Sequence, residues 1–237
     1  MVLPNGVGIM GRIAASFLAM LALAGCSALP EDASSQRRSE PPRRVASAEP
    51  RLSNAPDVRQ CLAELGLTRA SFEPLPDKYH GGGCTTLGTV KLASLRTDES
   101  SIGLPNIGPV TCTVAETFAG WARYGADRAA RQILGSPLHS IETMGSFSCR
   151  TVAGTGRLSA HATADAIDIG AFVLEDGRRI SVLDDWQGGT AAERQFLRVV
   201  HQSACKRFGT VLGPDYNAAH ENHFHVEKVI EGQAYCR

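Results

Sequence analysis

The sequence lacks an excess of charge of either sign, because 24 Lys and Arg residues balance 24 Asp and Glu residues over 237 positions. Without a basic surplus the chain has no electrostatic footprint for nucleic acid, so we expect no such partner. It has no sustained heptad pattern, which argues against a coiled coil. Its one long apolar stretch, residues 13–24, is shorter than the roughly 20 residues of a bilayer-spanning helix. The length of 237 residues then predicts one domain of ordinary size with extensions.

Cysteines are present, but no two of them have the C-x-x-C spacing that a thiol redox centre or a Cys-based zinc knuckle needs. One of the seven, Cys26, directly follows the apolar stretch. In an oxidising compartment the even number that remains predicts up to three disulfides. These six are Cys61, Cys84, Cys112, Cys149, Cys205 and Cys236. We favour the pair Cys205–Cys236, which would tie the C-terminus to a helix, and leave the other pairings open.

Residues 1–25 have the layout of a secretory signal, with Arg12, a short apolar run and small residues at its end. The segment Leu23-Ala24-Gly25-Cys26 resembles a bacterial lipobox, in which the cysteine receives lipid and becomes the mature N-terminus. An ordinary signal peptide that contains a cysteine is the alternative. Lipid on Cys26 would anchor the protein to a membrane without spanning it. Ser27 follows the cysteine directly, and in this position it resembles the residue of lipoproteins that are sorted to the outer membrane. We therefore expect a periplasmic lipoprotein that is anchored to the outer membrane.

Residues 26–56 are rich in Ser, Pro, Glu and Arg and contain few large apolar residues. Such a segment cannot bury enough apolar surface to offset the entropy lost on ordering, which predicts a flexible tether. The folded domain is predicted at 57–237, and we expect it to act as a monomer.

Helical signals occur at three places in this domain. Asp57 is a predicted N-cap of the first helix, and residues 111–133 carry the helical periodicity of the main helix, which Gly135 ends. Thr190 and Glu193 have the spacing of a capping box before an apolar face. That face comprises Phe196, Leu197, Val200 and Ala204.

Short β-type runs follow the main helix. They cover residues 141–149, 166–174, 180–183 and 223–229, and the sequence 175–177 between two of them is a hairpin turn signal. Helices, then strands, then a helix before the last strand predict an α+β domain with a mostly antiparallel sheet, flanking helices and disulfide support.

Two segments of this domain concentrate residues that bind metals. His220, His223 and His225 lie within six positions, and His161 and Asp168 lie well upstream. Alternate residues of a strand share a face, so His223 and His225 are predicted to point together, with Phe224 and Val226 packed behind them. In the same way Asp168 is predicted to point away from Ile167 and Ile169.

Two imidazoles and one carboxylate, with a fourth position open to water, are the ligand pattern of a catalytic zinc site. Zinc lowers the pKa of a bound water molecule to about 7 and makes it a nucleophile at neutral pH. The sequence therefore predicts a Zn²⁺ site. Asp165 is an alternative carboxylate, but on one strand it would lie on the face opposite to Asp168.

The order Ser159-x-His161, Asp168 and His223-x-His225 resembles the zinc peptidases grouped with lysostaphin, D-Ala-D-Ala peptidases and hedgehog domains. The triple histidine is similar to that of the penicillin-insensitive murein endopeptidases. The segments GSFSCR, SAHATADAIDI, GRRISV, DDW, VLGPDYN and HENHFH resemble the bacterial extensin-like C-terminal domain family over most of the folded region. The peptidase motif covers only two short segments, yet its order and spacing are specific.

This resemblance implies a hedgehog/D-Ala-D-Ala-peptidase-like fold in which His161, Asp168 and His225 hold zinc. His223 would take a proton from the water nucleophile, and His220 would be a further polar partner in the cleft. The implied substrate is a D-Ala-containing amide bond in the peptide stems or cross-links of peptidoglycan. A non-catalytic, wall-binding or structural envelope lipoprotein on the same fold is the alternative.

The resemblance also implies an arginine that polarises the scissile carbonyl or stabilises the oxyanion, and Arg150 and Arg157 compete for that role. Ser159 is expected to be a hydrogen-bonding neighbour of the site, because no G-x-S-x-G elbow surrounds it. The chain departs from the peptidase pattern at Ala164, where these enzymes often have glycine. We expect the extra methyl group to narrow the cleft.

Overall fold

A large sheet forms the centre of the structure, a computed structural model that describes residues 51–237. The predicted signal sequence at 1–25 and Cys26 lie outside the described residues, as do residues 27–50 of the predicted tether. The strands of the described part are β1 (Ser71–Pro74), β2 (Lys78–Gly81), β3 (Cys84–Thr86), β4 (Thr89–Arg96), β5 (Ser101–Gly103), β6 (Val110–Thr111), β7 (Leu138–Gly145), β8 (Ala166–Leu174), β9 (Arg179–Ser181), β10 (Phe208–Leu212), β11 (Phe224–Val229) and β12 (Tyr235–Cys236).

The strand order of the main sheet is β1-β4-β5-β7-β8-β11-β10-β12, with β6 paired to β4 and β9 paired to β8. The pairs β5–β7 and β10–β12 are parallel, and the other pairs of this sheet are antiparallel. Strands β2 and β3 form a separate two-stranded sheet. The predicted α+β class with a mostly antiparallel sheet is therefore confirmed.

The α-helices of residues 51–237 are α1 (Pro56–Leu67), α2 (Cys112–Trp121), α3 (Val182–Asp185) and α4 (Ala191–Ala204). Helix α4 begins with the predicted capping box, in which Thr190 and Glu193 each bond to the other's backbone N–H. Its predicted apolar face is buried in the core. The predicted N-cap of α1 is wrong, because the helix begins at Pro56 with Ala55 as N-cap. Proline suits the first turn, and Asp57 lies inside that turn near the positive end of the helix dipole.

The predicted main helix at 111–133 is α-helical only as far as Trp121. It continues as two wide π-type segments, Ala122–Asp127 and Ala130–Leu134, and ends at Gly135 in the left-handed conformation. A pattern of 3.6 residues per turn places apolar residues on one face but does not predict this widening.

The strands follow the predicted alternation, with shifted ends. The run predicted at 166–174 is strand β8, and Gly177, at φ +87°, closes the predicted turn to β9. The run predicted at 141–149 begins three residues earlier, at Leu138, and ends four residues earlier, at Gly145. Residues 182 and 183 belong to α3 rather than to a strand, because the Ser181 side chain caps that helix.

The core lies between the sheet and helices α2 and α4. Large aromatic residues from both layers meet there. The ring centroids of Phe172 in β8 and Phe196 in α4 are 5.2 Å apart, and the two rings pack edge to face. Trp121 is fully buried, and its Nε1–H donates to the Val200 carbonyl oxygen and to Ser203 Oγ. A hydrogen-bonded tryptophan of this kind buries a large apolar surface without leaving its indole donor unpaired.

Three disulfides tie the periphery to this core. The predicted pair Cys205–Cys236 forms, and the pairings left open are Cys61–Cys112 and Cys84–Cys149. They close loops of 51, 65 and 31 residues, and a crosslink of this kind typically stabilises a fold by about 2–4 kcal/mol. Within residues 51–237, no helix combines the length and the apolar character needed to cross a membrane.

Candidate metal centre

Strands β8 and β11 bring two of the predicted ligands together. His225 of β11 lies directly opposite Asp168 of β8 in the antiparallel register. Side chains directly opposite each other share one face of the sheet. On the other face, Ile167 and Ile169 of β8 and Phe224 of β11 are buried in the core, as their alternation predicts.

A short 3₁₀ turn, Ala160–Thr163, supplies the third ligand, His161. Ser159 is the N-cap of this turn, and its Oγ accepts a hydrogen bond from the His161 backbone N–H at 3.4 Å. His161 is buried, with 2% of the residue exposed, and its Nδ1 lies 3.1 Å from the Ser146 carbonyl oxygen. Since that oxygen only accepts, Nδ1 carries the hydrogen and Nε2 points toward Asp168.

The candidate ligand atoms are close neighbours. His161 Nε2 lies 3.1 Å from His225 Nδ1 and 3.2 Å from Asp168 Oδ2, and His225 Nδ1 lies 2.9 Å from Asp168 Oδ1. Zinc bonds of about 2.0–2.2 Å in a tetrahedron place ligand atoms about 3.3–3.6 Å apart. The donor set and its spacing fit a zinc ion after a small outward adjustment. That an ion binds there stays a prediction.

The charged groups of the cluster stabilise one another. Burial of Asp168 favours its neutral form, but hydrogen bonds to His161 and His225 outweigh this and hold the pKa of the carboxyl well below its usual range. Burial likewise opposes the charged form of His225, yet hydrogen bonds to Asp168 and Glu227 raise its pKa to about 9. In this structure a proton is shared among the three side chains. A divalent ion would compete with that proton for the same nitrogen and oxygen atoms.

The predicted base, His223, lies at the edge of this cluster. It precedes β11 rather than belonging to it, and its Nε2 lies 3.5 Å from Asp168 Oδ1. Its Nδ1 lies 2.7 Å from the Asn222 side-chain oxygen, which accepts the Nδ1 hydrogen. Burial lowers the pKa of His223, so at neutral pH its Nε2 is free to accept a proton.

His220 lies beside His223 at the mouth of the site. Their ring centroids are 5.2 Å apart, and His220 Nδ1 lies 2.7 Å from Asn217 Oδ1. Burial and the neighbouring imidazoles of His223 and His225 lower the pKa of His220 to about 4. His220 is thus a neutral polar group near the cluster and not one of its three converging side chains.

A cleft of about 560 Å³ opens over these histidines. The two predicted arginines line it from the segment 150–159, whose two arms are joined by backbone hydrogen bonds between Val152 and Arg157 and between Ser159 and Arg150. Both arginines are exposed, and neither forms an ion pair within residues 51–237. Tyr216 and Tyr235 also line the cleft, with ring centroids 6.2 Å apart.

Two positions that sequence patterns placed near the site have other roles. The Asp165 carboxylate accepts hydrogen bonds from the hydroxyls of Thr111 and Thr163, both at 2.8 Å, and does not join the cluster. The expectation that the Ala164 methyl narrows the cleft is wrong, because Ala164 is completely buried. Its backbone has φ +59°, in the left-handed region that favours glycine, which explains why glycine suits this position.

One close contact of the cluster was not predicted. Glu227 Oε2 lies 3.1 Å from His225 Nε2. The signal was present in the sequence, because residues 225 and 227 of one strand share a face. A second His/Cys group, formed by His201, Cys205 and Cys236, offers no free thiolate, since its two sulfurs are joined in a disulfide.

Comparisons with known proteins agree with one of the two resemblances. No curated protein matches the chain, and no solved structure matches it. The family model described as Extensin-like protein C-terminus matches residues 59–237, which span both ligand segments and the whole cleft. That match covers well over half of the sequence. The chain therefore belongs to the extensin-like protein C-terminus family.

Proposed function

We propose that this protein is a zinc-dependent hydrolase that cleaves a D-Ala-containing amide bond in peptidoglycan peptide stems or cross-links. The observation that carries the proposal is the convergence of His161 Nε2, His225 Nδ1 and the Asp168 carboxylate at mutual distances of 2.9–3.2 Å. Two imidazoles and one carboxylate leave a fourth coordination position for solvent, which is the donor set of catalytic rather than structural zinc sites.

Zinc held by these three side chains supplies a Lewis acid and an activated water molecule. His223 is positioned to take the proton that is lost in the attack, because its Nε2 faces the cluster and its Nδ1 hydrogen is held by Asn222. The same imidazole then returns that proton to the leaving amine. His220 keeps a second neutral imidazole at the entrance, where it contacts His223 without adding charge.

Arg150 and Arg157 supply the positive charge of the cleft. Neither guanidinium has a carboxylate partner in the part of the chain that the structure describes, so each is available to donate to a scissile carbonyl or to the oxyanion that develops from it. The same groups suit the free carboxylates of a peptide stem, to which arginine donates through two parallel hydrogen bonds. Which of the two arginines meets the carbonyl is an outcome of the test below.

The substrate class follows from the resemblance of both ligand segments to wall peptidases and from the predicted export signal. We propose the same fold as the hedgehog and D-Ala-D-Ala peptidase group, with Asp168 and His225 on the outer face of β8 and β11 and His161 on the 3₁₀ turn before β8. A lipid anchor on Cys26 and a tether at 26–56 would hold a monomeric domain beside the wall, in the periplasm and attached to the outer membrane.

Purified protein incubated with muropeptides tests this proposal directly. We expect one zinc per chain by elemental analysis and loss of a stem or cross-linked species by mass spectrometry. His161→Ala should remove both. Arg150→Ala and Arg157→Ala should keep the metal, and the one that contacts the carbonyl should lower kcat more than it raises KM. A metal-loaded wild type that cleaves no muropeptide would overturn the hydrolase proposal.

The alternative, a non-catalytic wall-binding module, is favoured by one observation. His225 is paired with both Asp168 and Glu227, so the cluster satisfies its own charges without an ion. A protein that binds peptidoglycan, retains no zinc after reconstitution and binds equally well as His161→Ala would support this second function.

A further inference from the structure

The two ligand histidines are held by different chemical groups at the nitrogen that faces away from the cluster. His161 Nδ1 meets the neutral carbonyl oxygen of Ser146 at 3.1 Å. His225 Nε2 meets the carboxylate of Glu227 at 3.1 Å. A carbonyl oxygen fixes the orientation of a ring, whereas a carboxylate also makes the ring a stronger electron donor.

Glu227 lies on the wall of the cleft. It is directly opposite Thr210 in the β10–β11 register, and both residues line the cleft. On β11 Glu227 lies two residues beyond His225, and His225 is paired with Asp168 of β8. Asp168 faces the other ring nitrogen of His225. Glu227 does not belong to the group of three that could share an ion. It is therefore a partner of a ligand and not a ligand.

The position of Glu227 decides which nitrogen of His225 can bind a metal. Carboxylates face both ring nitrogens in this structure, Asp168 at Nδ1 and Glu227 at Nε2. An ion bound by Asp168 and His225 would displace the Nδ1 hydrogen, and Glu227, which accepts hydrogen bonds only, would hold the remaining hydrogen on Nε2. The lone pair is then left on Nδ1, which lies 3.1 Å from His161 Nε2 and 2.9 Å from Asp168 Oδ1. Without Glu227 the neutral ring is free to carry its hydrogen on either nitrogen, and one of these forms does not ligate.

We propose that Glu227 is a positioning residue for the metal centre, which fixes the Nδ1-ligating form of His225 and strengthens it as a zinc ligand. This inference rests on the proposed function, since it assumes that His161, Asp168 and His225 bind zinc. Substitution of Glu227 should therefore lower the affinity for zinc more than it lowers the stability of the fold. Carboxylate partners of ligand histidines typically change metal affinity by about 10–100-fold.

Zinc titration of the metal-free protein, with a competing chelator, measures this effect. We expect Glu227→Gln, which keeps an acceptor but loses the charge, to bind about 10-fold more weakly, and Glu227→Ala to approach about 100-fold. The matched control is Glu221→Gln, which removes an exposed carboxylate close in sequence and should bind as wild type. Thermal unfolding of each metal-free variant establishes that it is folded.

The same variants loaded with Co²⁺ give a second readout that a purely structural role would not change. We expect the visible absorption bands of Glu227→Ala to shift relative to wild type and those of Glu221→Gln to coincide with it. Wild-type affinity and spectrum in Glu227→Ala would overturn the positioning role alone. A wild-type protein that binds neither ion would overturn the metal centre and this inference with it.

Discussion

The two faces of the β8–β11 strand pair use the same backbone for different purposes. On the inner face Ile167, Ile169 and Phe224 are buried among apolar side chains. On the outer face Asp168 Oδ1 accepts a hydrogen bond from His225 Nδ1, and His225 lines the cleft. Because successive residues of a strand alternate between faces, neighbouring positions carry stability and chemistry separately. Substitutions one residue apart should therefore have effects of different kinds.

The largest expected effect comes from the outer face. Asp168→Asn keeps the size of the side chain but removes the negative charge shared with His161 and His225, so zinc should be lost and muropeptide cleavage should fall below detection. Elemental analysis and a muropeptide digest measure both. Full activity in this variant would contradict the separation of roles, because the carboxylate would then be dispensable.

The inner face should respond in the opposite way. Ile167→Ala removes a fully buried side chain and should lower the free energy of unfolding by about 2–5 kcal/mol, while the folded fraction keeps one zinc. Urea unfolding and metal analysis of the same sample check this. Ile167→Val, with an expected loss of about 0.5–1.5 kcal/mol, is the milder control. Loss of metal from folded Ile167→Val would show that the two faces are coupled.

The stability of the fold at low pH should depend partly on His201, on the inner side of the sheet. His201 lies between Trp186 and Phe224, with ring centroids 5.8 and 5.1 Å away, and its Nε2 has no hydrogen-bond partner within residues 51–237. Burial lowers the pKa of His201 more than the backbone of Arg237 and the charge of Asp215 raise it, while Arg198 lowers it further.

The unfolded chain takes up this proton at an ordinary pKa of about 6.5, whereas folded His201 stays neutral to lower pH. Its stabilising contribution is therefore complete above about pH 6.5 and is lost progressively below it. Urea unfolding at about pH 7.5 and pH 5.5 should show a smaller decrease in stability for His201→Leu than for wild type. Equal decreases in the two proteins would contradict this assignment.

The smallest expected effect is at Ala164, which lies between the ligands His161 and Asp168 in the sequence. Ala164→Gly relieves a left-handed backbone, worth about 1–2 kcal/mol, but loses a buried methyl group worth about 0.8 kcal/mol and gains chain entropy on unfolding. We expect a change in unfolding free energy within about 1 kcal/mol and unchanged kcat and KM. A large change in KM would mean that the methyl group contacts the substrate.

The sequence is most informative where a single period governs the structure. Alternation predicted β8 and its inward isoleucines, and the spacing of Thr190 and Glu193 predicted the capping box that begins α4. Features that depend on three-dimensional packing were missed. The π-type widening after Trp121 and two of the disulfide pairings have no local signature.

The candidate site divides in the same way. Strand alternation pointed to Asp168 and His225, whereas the set His161, Asp168 and His225 was implied by the resemblance to zinc peptidases. The β8–β11 register places Asp168 and His225 together, and the three side chains converge. The contact between Glu227 and His225 depends on which ring nitrogen faces which strand. Residue spacing alone does not contain that information, although the shared strand face offered a partial signal.

A crystal structure of the zinc-reconstituted domain, with anomalous data collected at the zinc absorption edge, tests the central claim most directly. The account predicts one anomalous peak about 2.0–2.2 Å from His161 Nε2, His225 Nδ1 and an Asp168 oxygen, with solvent in a fourth position. A peak at other residues, a fully protein-ligated ion or no peak at all would contradict it.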